Sequence, residues 1–352
     1  MKVVDLSGLP VPGASTGDGG KEPVVHGGNL AAARRQFPRA PEPWIDLSTG
    51  INPHAYPLPA LAAELWARLP QTDAEQALRV AAARRYGAAD PAMIVTAPGS
   101  QPLIQAIPRL FARGDVAILG QTYREHAAAW ARHGHAVSEI DCVAQLREAH
   151  VAVVVNPNNP TGRIVPADEL RQLAAVLADR QGLLIVDEAF ADLAPADTSI
   201  IENLPRATIV LRSFGKTYGL AGLRLGFAVA HTALAERLRA EIGPWAVSGP
   251  ALAVGTIALS DSLWLEQLRP TLAADGARLD ALLTSCGLTI EGGTPLFRLL
   301  SHPSAPSIAD ALGSDGILVR RFVERPQWLR IGLPSGEHAW MRLEQSLRLA
   351  TT

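Results

Sequence analysis

Lys216 lies in a turn-rich stretch, residues 211–226, between two apolar runs at 207–211 and 225–230 that read as buried strands. A lysine at the edge of an apolar sheet is desolvated. Desolvation lowers its pKa and frees the amine to attack a carbonyl. Ser213 stands three residues before it and Arg224 eight after. A hydroxyl and a guanidinium beside such a lysine suit a cofactor that carries both an aldehyde and a phosphate, which describes pyridoxal phosphate. Taken alone, a lysine in a glycine-rich loop is more often a surface lysine, and only further residues around it can give it a chemical role.

Those residues come from the elements that would position it. From residue 93 onward the chain alternates short apolar runs with helical periodicity. The strands fall at 93–97, 116–119, 136–140, 151–155 and 183–186, and the helices between them at 102–111, 123–133 and 166–180. Continuous apolar strands separated by helices predict an α/β fold with a mostly parallel central sheet covered on both faces. Ligands in such sheets sit beyond the carboxyl ends of the strands. Gly99, Asn159, Asp187 and Lys216 all fall at or after strand ends, so they converge on one edge. Asp187 can be a strand-end cap, a metal ligand or the partner of a cofactor's ring nitrogen. The segment Asn156-Pro157-Asn158-Asn159-Pro160-Thr161-Gly162 is dense turn chemistry whose amides could also bond a phenolic oxygen.

Before this core, the pattern predicts a short strand at 44–47 and helices at 59–69 and 73–86. After residue 230 it predicts helices at 232–242, 250–259 and 262–285, the last interrupted by Pro270. Short strands at 288–290, 296–300, 317–320 and 328–331 then alternate with helices at 307–312 and 337–349. The expected division is an N-terminal arm and substrate-contacting segment (1–50), a large domain (51–235) and a small α+β domain (236–352). Residues 1–25, rich in Gly, Pro, Ser and Thr, read as an arm.

The chain has 352 residues, 48% hydrophobic and 19% charged, enough for a sizeable core. A formal net charge of -2 gives no nucleic-acid footprint. The two cysteines, Cys142 and Cys286, form no C-x-x-C pattern, and neither an apolar leader nor an 18-residue apolar run is present. A cytoplasmic protein without metal, membrane or nucleic-acid partner is expected.

In order along the chain, Pro98-Gly99-Ser100-Gln101, Tyr123, the Asn-Asn-Pro-Thr-Gly turn, Asp187-Glu188-Ala189-Phe190, Ser213-Phe214-Gly215-Lys216 and Arg224 resemble the fold-type I pyridoxal phosphate enzymes, the aspartate aminotransferase superfamily. Lys216 follows Asp187 by 29 residues, similar to that family's spacing. The resemblance implies a large domain and a smaller α+β domain. It also implies that Lys216 carries the cofactor and moves the proton, and that Asp187 pairs with the pyridine nitrogen. Asn159 would then bond the ring's 3-oxygen and Tyr123 would stack on the ring. Gly99, Ser100, Gln101, Ser213 and Arg224 would hold the phosphate. Arg330, in Leu329-Arg330-Ile331-Gly332, matches the arginine that binds a substrate α-carboxylate. One departure stands out: Phe190 occupies a position where the family often has a tyrosine, and it cannot donate a hydrogen bond.

His26-Gly27-Gly28-Asn29, followed by Ile45-Asp46-Leu47-Ser48-Thr49-Gly50, narrows the resemblance to the threonine-phosphate decarboxylases of cobalamin biosynthesis. These are relatives of the histidinol-phosphate aminotransferases. That branch implies decarboxylation of L-threonine O-3-phosphate to (R)-1-amino-2-propanol O-2-phosphate by a homodimer. The alternatives are a histidinol-phosphate-type aminotransferase and a non-catalytic protein that only binds the cofactor. His26, Asn29 and one of Arg320 or Arg321 would clamp the substrate phosphate. The two arginines alternate on a strand, so only one can face the site.

Overall fold

The structure, a computed structural model, describes residues 26–351. The expected arm at 1–25 lies outside the described residues. The strands are β1 Ile45–Asp46, β2 Ile94–Ala97, β3 Asp115–Leu119, β4 Ala136–Ile140, β5 Val151–Val155, β6 Leu183–Asp187, β7 Thr208–Ser213 and β8 Gly226–Ala230. They continue with β9 Thr289–Thr294, β10 Phe297–Ser301, β11 Ile317–Leu318, β12 Arg320–Arg321 and β13 Trp328–Gly332. The first seven helices are α1 Leu30–Gln36, α2 Glu64–Ala67, α3 Thr72–Tyr86, α4 Ser100–Ala106, α5 Glu125–Arg132, α6 Val143–Leu146 and α7 Ala167–Asp179. The rest are α8 Phe214–Thr217, α9 Thr232–Ile242, α10 Gly249–Ser260, α11 Ser262–Ser285, α12 Ala305–Ser314 and α13 Gly336–Thr351.

Seven strands form the main sheet in the order β2-β8-β7-β6-β5-β3-β4. All neighbours are parallel except at β8, which runs antiparallel to both β2 and β7. Alternate residues of one strand serve opposite faces, as the pleat requires. On β5, Ala152 and Val154 join one apolar cluster with α3, α7 and α10, while Val151 and Val153 join another with α4, α5 and α9. Burial on both faces explains why these strands are continuous apolar runs rather than alternating ones.

A third apolar cluster gathers α11, α12, α13 and the antiparallel sheet β12-β13-β10-β9. Ile45 and Leu47 belong to it, because β1 pairs in parallel with β11 through Ile45↔Ile317. α10, although it lies beyond residue 235, packs into the main sheet's cluster instead, contributing Ala251, Leu252, Ala258 and Leu259. The third cluster takes up the C-terminal half of the chain only from Leu265. Pro270 sits inside α11, which runs through it unbroken. The helix expected at 59–69 shrinks to the four residues of α2. Prolines at 57 and 59 bias the residues before them away from helical backbone, so that stretch stays irregular.

Candidate active site

Strand direction brings the chemistry to one edge of the main sheet. β6 ends at Asp187, β7 at Ser213, and β5 runs directly into the Asn156–Gly162 turn. Lys216 follows β7 on α8. Its Nζ donates to the Thr49 carbonyl at 2.9 Å and lies 5.7 Å from the centre of the Phe190 ring. Burial, reinforced by the Arg330 guanidinium, pulls its pKa down to about 8. This is the environment that makes a lysine amine nucleophilic near neutral pH.

Asp187 is 3% exposed. One carboxylate oxygen accepts from the Ala189 backbone N–H at 3.1 Å, and Oδ2 lies 2.8 Å from His126 Nε2. The sequence reading missed His126. It lies at the start of α5, one residue after Glu125, and periodicity alone does not separate it from a core histidine.

Arg330 is 5% exposed on β13. Nη1 donates to Asn159 Oδ1 and Nη2 to the Ser48 carbonyl, each at 2.5 Å, and the guanidinium lies 4.9 Å from the Phe297 ring centre. Its Nε is buried without a hydrogen-bond partner, and no carboxylate pairs with it among the described residues. Burial first, then Arg320, lowers its pKa to about 9. Arg320 is the cross-strand partner of Arg330, so both project from the same face of their sheet. Arg321 points the other way and pairs with Asp310 at 2.6 Å. The register thus decides between the two arginines: Arg320 faces the site.

Around the expected phosphate position, Arg224 adopts left-handed backbone at φ 55°, with Nη1 on the Ala221 carbonyl at 2.8 Å. Its guanidinium lies against Gly99, whose φ is +94°, and a Cβ there would collide with Nη2. Only glycine fits that approach. The N-terminus of α4 has no side-chain cap, and the Ser213 hydroxyl makes no hydrogen bond among the described residues. Gln101 is used differently from expectation. Its Nε2 donates to Glu125 at 2.5 Å and its Oε1 accepts from Tyr123 Oη at 3.1 Å. Burial, with Glu125 adding to it, raises the Tyr123 phenol to about 12, so the hydroxyl stays protonated. Asn29 caps α1 through Oδ1, accepting from the Ala32 N–H at 3.0 Å. His26 lies 6.0 Å from Tyr123, ring centre to ring centre, with Nε2 2.8 Å from Glu125.

The arrangement offers an activated amine, a buried carboxylate and an uncapped helix start beside a free hydroxyl and a guanidinium. Together these could hold an aromatic aldehyde that carries a phosphate. A cleft of about 520 Å³ lined by Leu272, Ile290 and Arg298 contains none of these side chains, so volume does not mark the site. No cluster of three His, Cys, Asp or Glu suited to a metal occurs among the described residues.

Residues 42–342 match the model of the family described as aminotransferase class I and II. The chain belongs to this family. Among its curated relatives, a threonine-phosphate decarboxylase of Pseudomonas aeruginosa is 44% identical over 328 residues, covering 92% of this chain and 97% of the relative. A second threonine-phosphate decarboxylase, from a Sinorhizobium species, is 42% identical and covers 92% and 98%. The fold resembles the histidinol-phosphate aminotransferase of Sinorhizobium meliloti solved in complex with pyridoxal-5'-phosphate. The TM-score is 0.78 at 24% identity, over 94% of this chain and 95% of that one. In this aminotransferase-family chain, Lys216, Asp187, Asn159 and Arg330 gather at one sheet edge, with Arg320 beside Arg330 in register.

Proposed function

We propose that the chain binds pyridoxal phosphate at this edge and releases carbon dioxide from L-threonine O-3-phosphate, leaving (R)-1-amino-2-propanol O-2-phosphate. The residues fit the cofactor on their own terms: Gly99 admits no side chain, the Ser213 hydroxyl has no partner among the described residues, and Lys216 is half-buried with its pKa pulled down. When bound, pyridoxal phosphate supplies the electron sink that weakens one bond at the substrate's Cα.

The chain's own groups do the rest. Lys216 Nζ would hold the cofactor and, once released, would return a proton to Cα in place of the departing carboxylate. Asp187, held by His126, would pair with the ring nitrogen. Asn159 would bond the ring's 3-oxygen, a role that Phe190 cannot share because it has no donor. Gly99, Ser100, Ser213 and Arg224 hold the cofactor phosphate, and Gln101 braces Tyr123 beside them. Arg330 and Asn159 take the α-carboxylate, while Arg320, with His26 and Asn29 at the N-terminal segment, takes the substrate phosphate.

One observation carries this reading: two in-register guanidiniums, Arg320 and Arg330, have no carboxylate partner among the described residues. Arg330 is buried and Arg320 half-buried, and cations withdrawn from water without anions are costly, which favours a ligand with two anionic ends. The identity to the two decarboxylases supports the same substrate class.

We further infer a homodimer. Trp66 and Leu69, by α2, and Trp245 and Ile257, by α10, are 46–70% exposed, and these two helices pack together. Such an apolar surface fits burial against a second copy. No helix among the described residues is long and apolar enough to cross a membrane. Two unpaired cysteines suit the cytoplasm.

Product analysis tests the reaction. Purified holoenzyme given L-threonine O-3-phosphate without a keto acid is expected to release carbon dioxide and aminopropanol phosphate in equal amounts. Amino transfer from histidinol phosphate to 2-oxoglutarate, with no carbon dioxide, would overturn it.

A further inference from the structure

Glu125 is a buried carboxylate that the reaction above does not use. It opens α5 and is 8% exposed. An acidic residue in a first turn suits the helix dipole, but a solvent-facing side chain would serve that purpose equally. Glu125 instead turns inward to three donors. His26 Nε2 lies 2.8 Å from Oε1, and Gln101 and Gln105 donate their amides to Oε2 at 2.5 and 3.1 Å. Neither arginine nor lysine pairs with it among the described residues. A carboxylate taken out of water needs compensation, and among its partners only the His26 imidazole can bring a positive charge.

Position strengthens the case. His26 is 99 residues away in sequence, on the N-terminal segment, and its side chain is 45% exposed. Gln101 belongs to the turn that begins α4 and in turn receives the Tyr123 hydroxyl. One carboxylate therefore links the N-terminal segment, the α4 start and the ring of Tyr123. With Nε2 held by Glu125, the other imidazole nitrogen is the group left for a second anion. A ring carrying both protons donates to both.

We infer that Glu125 is the positioning residue that fixes His26 for the substrate's phosphate, and so sets the preference for phosphorylated over unphosphorylated amino acids. This rests on the proposed function for the phosphate's presence, though not on which bond at Cα breaks. The negative charge of Glu125 would repel a phosphate that met it directly. Interposed, His26 converts that repulsion into a bridge.

The test compares wild-type holoenzyme, His26→Ala, Glu125→Gln and the double variant. Binding of L-threonine O-3-phosphate and of L-threonine is titrated by the change in cofactor absorbance. Each single variant is expected to weaken the phosphorylated ligand about tenfold, the loss of one charge-assisted hydrogen bond. Affinity for L-threonine should stay within about twofold, and the double variant should be no weaker than the worse single one. Additive losses, or equal losses for both ligands, would show that Glu125 acts structurally and would overturn the inference. Should Glu125→Gln fail to yield folded holoenzyme, Glu125→Asp keeps the charge but falls one methylene short of His26, and the same selective loss is expected. Wild-type enzyme that prefers the phosphorylated ligand yet releases no carbon dioxide would leave this inference standing and remove the decarboxylation. Equal affinity for both ligands would remove the inference.

Discussion

The floor of the site and its rim are built on opposite terms. At the floor, charges are buried and answered within the chain. Asp187 meets His126, and one strand over Arg212 lies 2.7 Å from Glu188 and 3.1 Å from Asp192, with all three side chains at most 5% exposed. Glu188 follows Asp187, and Arg212 precedes Ser213. The buried network thus locks the ends of β6 and β7 in mutual register where the cofactor groups emerge. Burial raises the Glu188 pKa while Arg212 opposes it, and the Ser199 hydroxyl adds a hydrogen bond at 2.7 Å. At the rim, Arg320 lies 5.4 Å from the Phe322 ring with no carboxylate partner among the described residues, and His26 and Asn29 are exposed. A floor completed in advance orients a resident group, whereas a rim left open waits for a ligand that comes and goes.

The largest effect should come from the floor. Lys216→Ala is expected to lower carbon dioxide release by roughly 10⁴-fold, since it removes the proposed tether and proton carrier. Loss of protein-linked cofactor absorbance is the accompanying check. Substantial turnover in this variant would mean that the floor does not hold the reaction.

Next comes Asp187→Ala. It strands the buried His126, at a cost of about 1–3 kcal/mol in stability measured by denaturant titration. It also removes the proposed partner of the ring nitrogen, which should cost about 10²–10³-fold in kcat. A loss confined to stability would make the Asp187–His126 pair a brace and nothing more.

The same contrast explains what could be read from the sequence. Asp187 ends an apolar strand, and Lys216 and Asn159 come within four residues of the end of theirs, so local pattern plus the rule of parallel sheets pointed them to one edge. The rim depends on contacts distant in sequence. Glu125 looks like an ordinary first-turn acid of an amphipathic helix until the fold brings His26 and Gln101 to it. His126 is buried on the same turn, and nothing in periodicity separates it from a core histidine. Alternation allowed one of Arg320 and Arg321 to face inward, but the choice needed the β12–β13 register. The C-terminal division was obscured for a similar reason: α10 is apolar almost all round, a pattern that says "buried" without saying against which core.

At the rim the expected effects are smaller and selective. Arg320→Ala should raise KM for L-threonine O-3-phosphate by about tenfold to a hundredfold with little change in kcat. Arg321→Ala removes only an exposed pair with Asp310 and should change KM by less than about twofold. Equal effects from the two would contradict the register that places Arg320 toward the ligand.

The subtlest test joins the two regions through charge. Lys216 at about 8 is set by burial first and Arg330 second, with Asp46 pulling the other way. Only the neutral amine can take up the cofactor. In cofactor-free protein, the rate of pyridoxal phosphate uptake should therefore fall about tenfold per unit as pH drops below about 8, and level off above it. An ordinary lysine would still be gaining rate up to its usual 10.5. Arg330→Ala removes a neighbouring positive charge, so protonation becomes easier and the inflection moves up. Asp46→Asn removes a negative one and moves it down. An inflection that ignores both changes would mean that burial alone tunes Lys216, leaving the rim's arginine to serve only the substrate.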